Sequence, residues 1–274
     1  MDITKDTLDL WGAAPADLCT SNAFYGCQRS GANGLINPIR SSRLRTAKSF
    51  SFRYGRLEVR AKLPRGDWLW PAIWLLPVEQ QYGVWPASGE IDLVESRGNA
   101  AGYGGGVQGG GVDTIASTLH FGPFFGEDGW QTTHSSEKAT NGSFATDFHT
   151  FGLIWDKDAI QTYIDDPSNV VLDVPIGPDG FWQRGGWNQT SYINPWEGGG
   201  IDAPFDQRFY LILNVAAGGT SGYFPDGVDG KPWTDASANA AGEFWAARDQ
   251  WLPSWTAVGA VSSEMQVDWV RVYQ

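Results

Sequence analysis

Trp85-Pro-Ala-Ser-Gly-Glu-Ile-Asp-Leu-Val-Glu-Ser-Arg97 sets three carboxylates in a run that otherwise reads as a β-strand. Glu90, Ile91, Asp92 and Leu93 alternate polar and apolar, so a period of two puts Glu90 and Asp92 on one face and Ile91 and Leu93 on the other. Strict alternation would send Glu95 to the apolar face. A β-bulge at Leu93 and Val94 absorbs one residue and returns Glu95 to the side of Glu90 and Asp92. With that kink the Cα atoms of Glu90 and Glu95 are about four strand steps apart, roughly 13 Å. Side chains leaning together then leave the carboxyls about 5–6 Å apart, near the spacing of a retaining glycosidase. Asp92 between them couples to both and helps keep one glutamate protonated while the other is ionised. The plain alternative for the same string is a solvated acidic strand face.

On either side of this stretch the chain reads as strand after strand. Leu57, Val59, Ala61 and Leu63 alternate with Glu58, Arg60 and Lys62, which predicts a half-buried strand within 49–63. A turn at 64–67 leads into 68–77, apolar on both faces as an inner strand is. Further strands are expected over 115–121, 148–155, 159–165, 170–174, 209–217 and 264–273, with one short helix over 243–251. The first of these places His120 near the carboxylates if the two strands are neighbours. Asn214 sits in an apolar strand, where its amide needs partners. Residues 181–206 read as a long aromatic loop region. Gly98–Gly111 holds eight glycines in fourteen residues, but no Gly-Lys-Ser/Thr or helix start follows, so it reads as a loop beside a cleft and not as a phosphate cradle. Turn signals throughout, with almost no helical periodicity and no linker or repeat, predict one all-β domain over 1–274, an antiparallel β-sandwich.

Composition narrows the function. A net charge of −12 with only 19 Lys and Arg argues against nucleic acid and anionic membranes, which need basic patches. No run of 18 apolar residues spans a membrane. Fifteen tryptophans exceed what a core needs and suit a groove for a neutral sugar polymer, whose apolar ring faces stack on aromatics. His120, His134 and His149 are too widely spaced for a His-Glu-x-x-His zinc site, two cysteines make no structural zinc site, and the Gly-x-Ser-x-Gly esterase elbow is absent.

Glu90-Ile-Asp-Leu-Val-Glu95 resembles the active-site motif of glycoside hydrolase family 16, in the bulged form of the β-1,3-glucanases, or laminarinases. Tyr54-Gly-Arg-Leu-Glu-Val-Arg-Ala-Lys-Leu-Pro64, Trp70-Pro-Ala-Ile-Trp-Leu-Leu-Pro77, Phe148-His-Thr-Phe-Gly-Leu-Ile-Trp155, Leu211-Ile-Leu-Asn-Val-Ala-Ala-Gly-Gly219 and Met265-Gln-Val-Asp-Trp-Val-Arg-Val-Tyr273 resemble that family in its order. The likeness runs from about Cys19 to the end. It implies a concanavalin-like β-jelly roll with a concave cleft, and a retaining endo-β-1,3-glucanase with Glu90 as nucleophile, Glu95 as general acid and base, and Asp92 as modulator. Arg43 matches a substrate-contacting arginine of related laminarinases, against an ordinary surface ion pair. Trp70, Trp74 and Trp85 are candidate sugar platforms or core residues, and His120 a substrate contact or a hydrogen-bonded core residue.

Two rival functions stay open. Animal β-1,3-glucan recognition proteins share the framework, including Phe224-Pro-Asp-Gly227, and commonly lack the catalytic carboxylates, all of which are kept here. A mixed-linkage glucan or a galactan is the other possible substrate. The resemblance also implies secretion, a monomer and no required cofactor, and it supports a Cys19–Cys27 bridge against two free buried thiols, with Asp268 either a surface aspartate or at a position that helps hold a structural calcium in some members. No secretory signal precedes Asp2, and a terminal strand is expected to be missing before residue 35. Asn141-Gly-Ser143 and Asn188-Gln-Thr190 fit the N-glycosylation pattern.

Overall fold

A computed structural model describes residues 37–106, 110–256 and 262–274. Cys19, Cys27 and the turn signals before residue 35 lie outside the described residues. Eleven strands follow in chain order: β1 (Arg43–Arg45), β2 (Gly55–Lys62), β3 (Leu69–Pro77), β4 (Glu90–Ser96), β5 (Thr114–His120), β6 (His134–Lys138), β7 (His149–Trp155), β8 (Ala159–Ile164), β9 (Val170–Pro175), β10 (Phe209–Ala217) and β11 (Gln266–Tyr273). The described residues form two compact units, 42–216 with 254–274 and 217–253 with 37–41.

The larger unit is an antiparallel β-sandwich with jelly-roll strand order. One sheet has six strands in the order β1-β10-β3-β4-β5-β6, and the other five in the order β11-β2-β7-β8-β9. Period-two alternation builds the core between them. Ile73, Leu75, Ile91, Ile115 and Leu119 from the first sheet meet Leu57, Val59, Phe151, Leu153 and Ile160 from the second, all essentially buried. The inner-strand reading of β3 holds, since β10 and β4 flank it.

The expected strand over 49–63 is regular only from Gly55. Tyr54 has φ 61° and Gly55 φ 119°, and a Cβ on Gly55 would overlap the carbonyl oxygen of Tyr273. This local kink sets where β2 begins against β11. The aromatic region over 181–206 contains a helical turn, α1 (Gly180–Arg184), and a 3-10 turn over Trp187–Gln189. Its indoles fill the larger unit: Trp187 and Trp196 are buried, with ring centroids 6.1 Å apart.

In the smaller unit the single expected helix is two, α2 (Ala240–Ala246) and the start of α3 (Arg248–Thr256). The Trp251 indole donates back to the Phe244 carbonyl at 2.8 Å, and the two rings stack at 4.4 Å. Packing of large aromatics, not amphipathic spacing, thus decides these helices, which is why periodicity merges them. Lys231 anchors the preceding loop: its buried ammonium donates to the Phe224 carbonyl at 2.8 Å and to Asp226 at 2.6 Å.

The feature that positions the site is the bulge in β4. Against β3, Val94 faces Ile73 and Asp92 faces Trp74, so Leu93 is the extra residue. Against β5, Asp92 faces Thr118 and Glu95 faces Ala116, leaving Leu93 and Val94 opposite Ser117 alone. Both apolar side chains enter the core, at 1% and 0% exposure. A bulge frees backbone groups from the ladder, and here the Leu93 carbonyl accepts from the Ser117 hydroxyl at 2.7 Å. Ser117 accepts in turn from Thr162 of the second sheet at 2.9 Å, and Thr162 from the Leu172 amide at 3.2 Å. That amide adjoins a second register shift, between β8 and β9. A directed row of buried donors therefore crosses the core and ends on the β4 bulge. Ser117→Ala removes the middle of the row, takes the hydroxyl donor from the Leu93 carbonyl and leaves the Thr162 hydroxyl proton without its acceptor. It should cost about 1–3 kcal/mol in urea unfolding, whereas an exposed serine such as Ser168 changed to alanine should leave the midpoint nearly unmoved.

Candidate active site

With the core side of the six-stranded sheet fixed, the register fixes what its other face carries. Trp70, Ala72 and Trp74 of β3 lie beside Glu95 and Asp92 of β4, which lie beside Ala116, Thr118 and His120 of β5. Glu90 is paired directly with His120. The predicted return of Glu95 to the face of Glu90 and Asp92 is therefore what the bulge does. All eight residues singled out in the sequence (Arg43, Trp70, Trp74, Trp85, Glu90, Asp92, Glu95 and His120) lie on or beside this face.

Their contacts are specific. The Trp70 indole donates to Glu95 Oε1 at 2.8 Å, so its polar edge is committed to the carboxylate. The Trp74 indole donates to Asn214 Oδ1 at 2.6 Å, which supplies the partner that the Asn214 amide needed. Arg43, paired across strands with Asn214, lays its guanidinium 4.6 Å from the centre of the Trp74 ring. The Trp85 ring lies 5.6 Å from the His120 ring. Glu90, Asp92 and His120 each bring one oxygen or nitrogen within 4.8 Å of the others.

His120 is held from two sides. Its Nδ1 is 2.6 Å from Asp128 Oδ2, and its Nε2 is 3.1 Å from Asp92 Oδ2. The second contact is electrostatic, because no hydrogen bond of ordinary geometry reaches that buried Asp92 oxygen. Burial alone would lower the imidazolium pKa, but the Asp128 hydrogen bond, the close Asp92 carboxylate and the charge of Glu90 outweigh it and push it up to about 11. His120 therefore carries a proton throughout the physiological range. Asp128 is fixed for this task by the amides of Phe121 and Trp130, at 3.3 and 3.2 Å to its other oxygen.

The glutamates respond to the same field. Burial and then the charge of Asp92 push Glu95 up to about 7, opposed by the Trp70 donor and by the charges of His120 and Arg97. Burial and then Asp92 raise Glu90 well above the ordinary carboxyl range, again opposed by His120, with Glu95 adding to the rise. Both glutamates are thereby shifted toward holding a proton. Such a site can deliver a proton and supply a carboxylate within one groove.

The sequence did not mark Asp128. It sits in a Gly-Glu-Asp-Gly turn eight residues beyond His120 and looks like any acidic loop residue, since its role depends on how that turn folds back. Asp268, the candidate calcium ligand, places its carboxylate 3.3 Å from the Arg60 guanidinium, a positive neighbour that opposes a cation there.

A model of the glycosyl hydrolases family 16 matches residues 28–173. The chain belongs to glycoside hydrolase family 16. Its similarity to a β-1,3-glucan-binding protein of Penaeus monodon is 52% identity, over 99% of this chain and 73% of that one. The chain spans about half the length of its insect relatives: β-1,3-glucan-binding protein 1 of Manduca sexta is 34% identical over 99% of this chain but 52% of its own length. Among solved structures, the laminarinase from Rhodothermus marinus superposes with a TM-score of 0.52 at 29% identity, over 85% of this chain and 70% of that one. The family 16 jelly roll and the laminarinase likeness expected from the motifs are thus found. Among the described residues no helix is long and apolar enough to cross a membrane.

The aspartate–imidazolium pairing has a direct spectroscopic consequence. Asp128→Asn removes the carboxylate that accepts the His120 Nδ1 hydrogen bond, so the His120 pKa should fall. An NMR titration of the His120 ring reads this, and an unchanged titration curve would show that Asp128 does not set the charge.

Proposed function

We propose that this chain is a retaining endo-β-1,3-glucanase acting on laminarin-type glucans. The observation that carries the reading is the bulge-driven return of Glu95 to the face of Glu90 and Asp92, where its carboxyl is raised to about 7 beside the Trp70 donor. A general acid for glycoside cleavage needs a pKa near the working pH, and a raised glutamate supplies one. The order of roles follows the family pattern. Glu90 attacks the anomeric carbon and forms a glycosyl-enzyme ester while Glu95 protonates the departing glycosidic oxygen. Glu95, now ionised, then takes a proton from water, which opens the ester with net retention. Asp92, between the two and paired with charged His120, stays in position to couple their protonation. Arg43 and Trp74 are read as the groups that hold sugar hydroxyls and ring faces on the same face of the sheet, on the β1–β10–β3 side of the carboxylates. On the same reading the protein works outside the cell, as a monomer and without a required cofactor.

A second reading has a specific observation behind it, the 52% identity to a protein named for β-1,3-glucan binding. On that reading the groove holds glucan without cutting it. A reducing-sugar assay on laminarin separates the two: release of new ends selects the hydrolase, and binding without release selects the recognition protein. Parallel assays on lichenan and agarose test the linkage preference.

Two outcomes follow for the hydrolase. Glu95→Gln should lower kcat on laminarin about 10²–10⁴-fold, and near-normal turnover would remove Glu95 from the acid role. Activity should also decline as pH rises through about 7, because the required form of Glu95 is the protonated one and its raised pKa is where that proton leaves. A rate that keeps climbing between pH 7 and 9 would contradict the assignment.

A further inference from the structure

Beyond Trp85 the surface turns aromatic in a way that neither the core nor the reacting carboxylates explain. Phe125 is 77% exposed, and Phe124 and Tyr192 are exposed as well. The Trp85 ring that lies against His120 also lies 5.9 Å from Phe125, and Phe124 meets Tyr192 edge-on at 5.0 Å. One ring pair therefore links the carboxylate site to Phe125, and the adjacent Phe124 opens a second pair with Tyr192.

Their support is rigid. In the turn 124–127 the Glu127 amide donates to the Phe124 carbonyl at 3.0 Å, and Gly126 takes φ 100°, which its lack of a side chain permits. The Glu127 carboxylate is held by the Trp187 indole and the Tyr192 hydroxyl, both at 3.1 Å. A Cβ on Gly122 would overlap the Glu127 carbonyl oxygen, so that glycine lets the turn lie close against the end of the strand. A braced turn that presents a phenyl ring to water is unfavourable by itself and is ready-made for a ligand with apolar faces.

We propose that Phe125, Phe124 and Tyr192 form a stacking platform that carries the glucan chain outward from Trp85, beyond the sugars at the reaction centre. This deepens the reading of the site as a β-glucan groove and rests on it. The chemistry favours that occupant. The one carboxylate in the platform is already engaged by two donors, and neutral pyranose rings offer C–H faces to aromatics while their hydroxyls remain in water. The chain's net charge of −12 disfavours an anionic polymer.

The test uses binding, so that it does not depend on turnover. In a Glu95→Gln background, affinity for laminarin and for laminaritriose is measured by calorimetry for the parent, Phe125→Ala, Phe125→Trp and Tyr192→Ala. Phe125→Ala and Tyr192→Ala should each weaken laminarin binding about ten-fold, the loss of one stacking ring. Laminaritriose affinity should change less than two-fold, and Phe125→Trp should keep or improve the parent's laminarin affinity. Equal laminarin affinity in parent and Phe125→Ala would overturn the platform, as would an equal loss for the trisaccharide, or a parent that binds no laminarin. Failure of the hydrolase reading looks different: the unsubstituted protein would bind laminarin and release no reducing ends.

Discussion

Two adjacent apolar side chains, Leu93 and Val94, both enter the core, and the site depends on that departure from alternation. A strand cannot send neighbours to the same side without an unpaired residue, and the backbone freed by the bulge has to be satisfied somewhere. The Leu172, Thr162, Ser117 and Leu93 row does this across the whole thickness of the sandwich. The second sheet, which carries no candidate catalytic group, thereby helps define where Glu95 stands. Buried hydroxyls inside an apolar core are costly unless fully paired, and here each donor has an acceptor aimed at the next strand.

Once the acids share a face, electrostatics sets their character. Three carboxylates close together at a partly desolvated site repel, and the protein offsets this with a doubly held imidazolium at His120 and with the charge of Arg97. The compensation is incomplete. Burial and the charge of Asp92 still leave Glu95 with a proton affinity suited to neutral pH, and they raise Glu90 in the same direction. A site fully neutralised by cations would hold both glutamates ionised and could not protonate anything.

Much of this was legible in the chain. The alternation at Glu90 to Leu93 located the strand, and the five-residue offset of Glu95 required the bulge that the registers contain. His120 lies beside the carboxylates because β4 and β5 are neighbours, the condition on which that placement depended. What escaped depended on tertiary contact. Asp128 reaches His120 through a loop whose path no periodicity records. Trp70 reads as a sugar platform or core aromatic, whereas its indole N–H is spent on Glu95. The expectation of one helix over 243–251 missed the break at Ala247, because stacked aromatics and not an apolar stripe hold those turns together.

The sheet's two-sidedness has an evolutionary consequence. Ile91, Leu93 and Val94 answer to folding, while Glu90, Asp92 and Glu95 answer to chemistry, and the two sets point opposite ways along seven residues of one strand. Mutational drift on the acid-bearing side therefore leaves the apolar contact between the sheets untouched, although loss of the buried Asp92 would take a partner from the His120 charge. A lineage can exchange these acids for other groups without redesigning the interior of its sandwich.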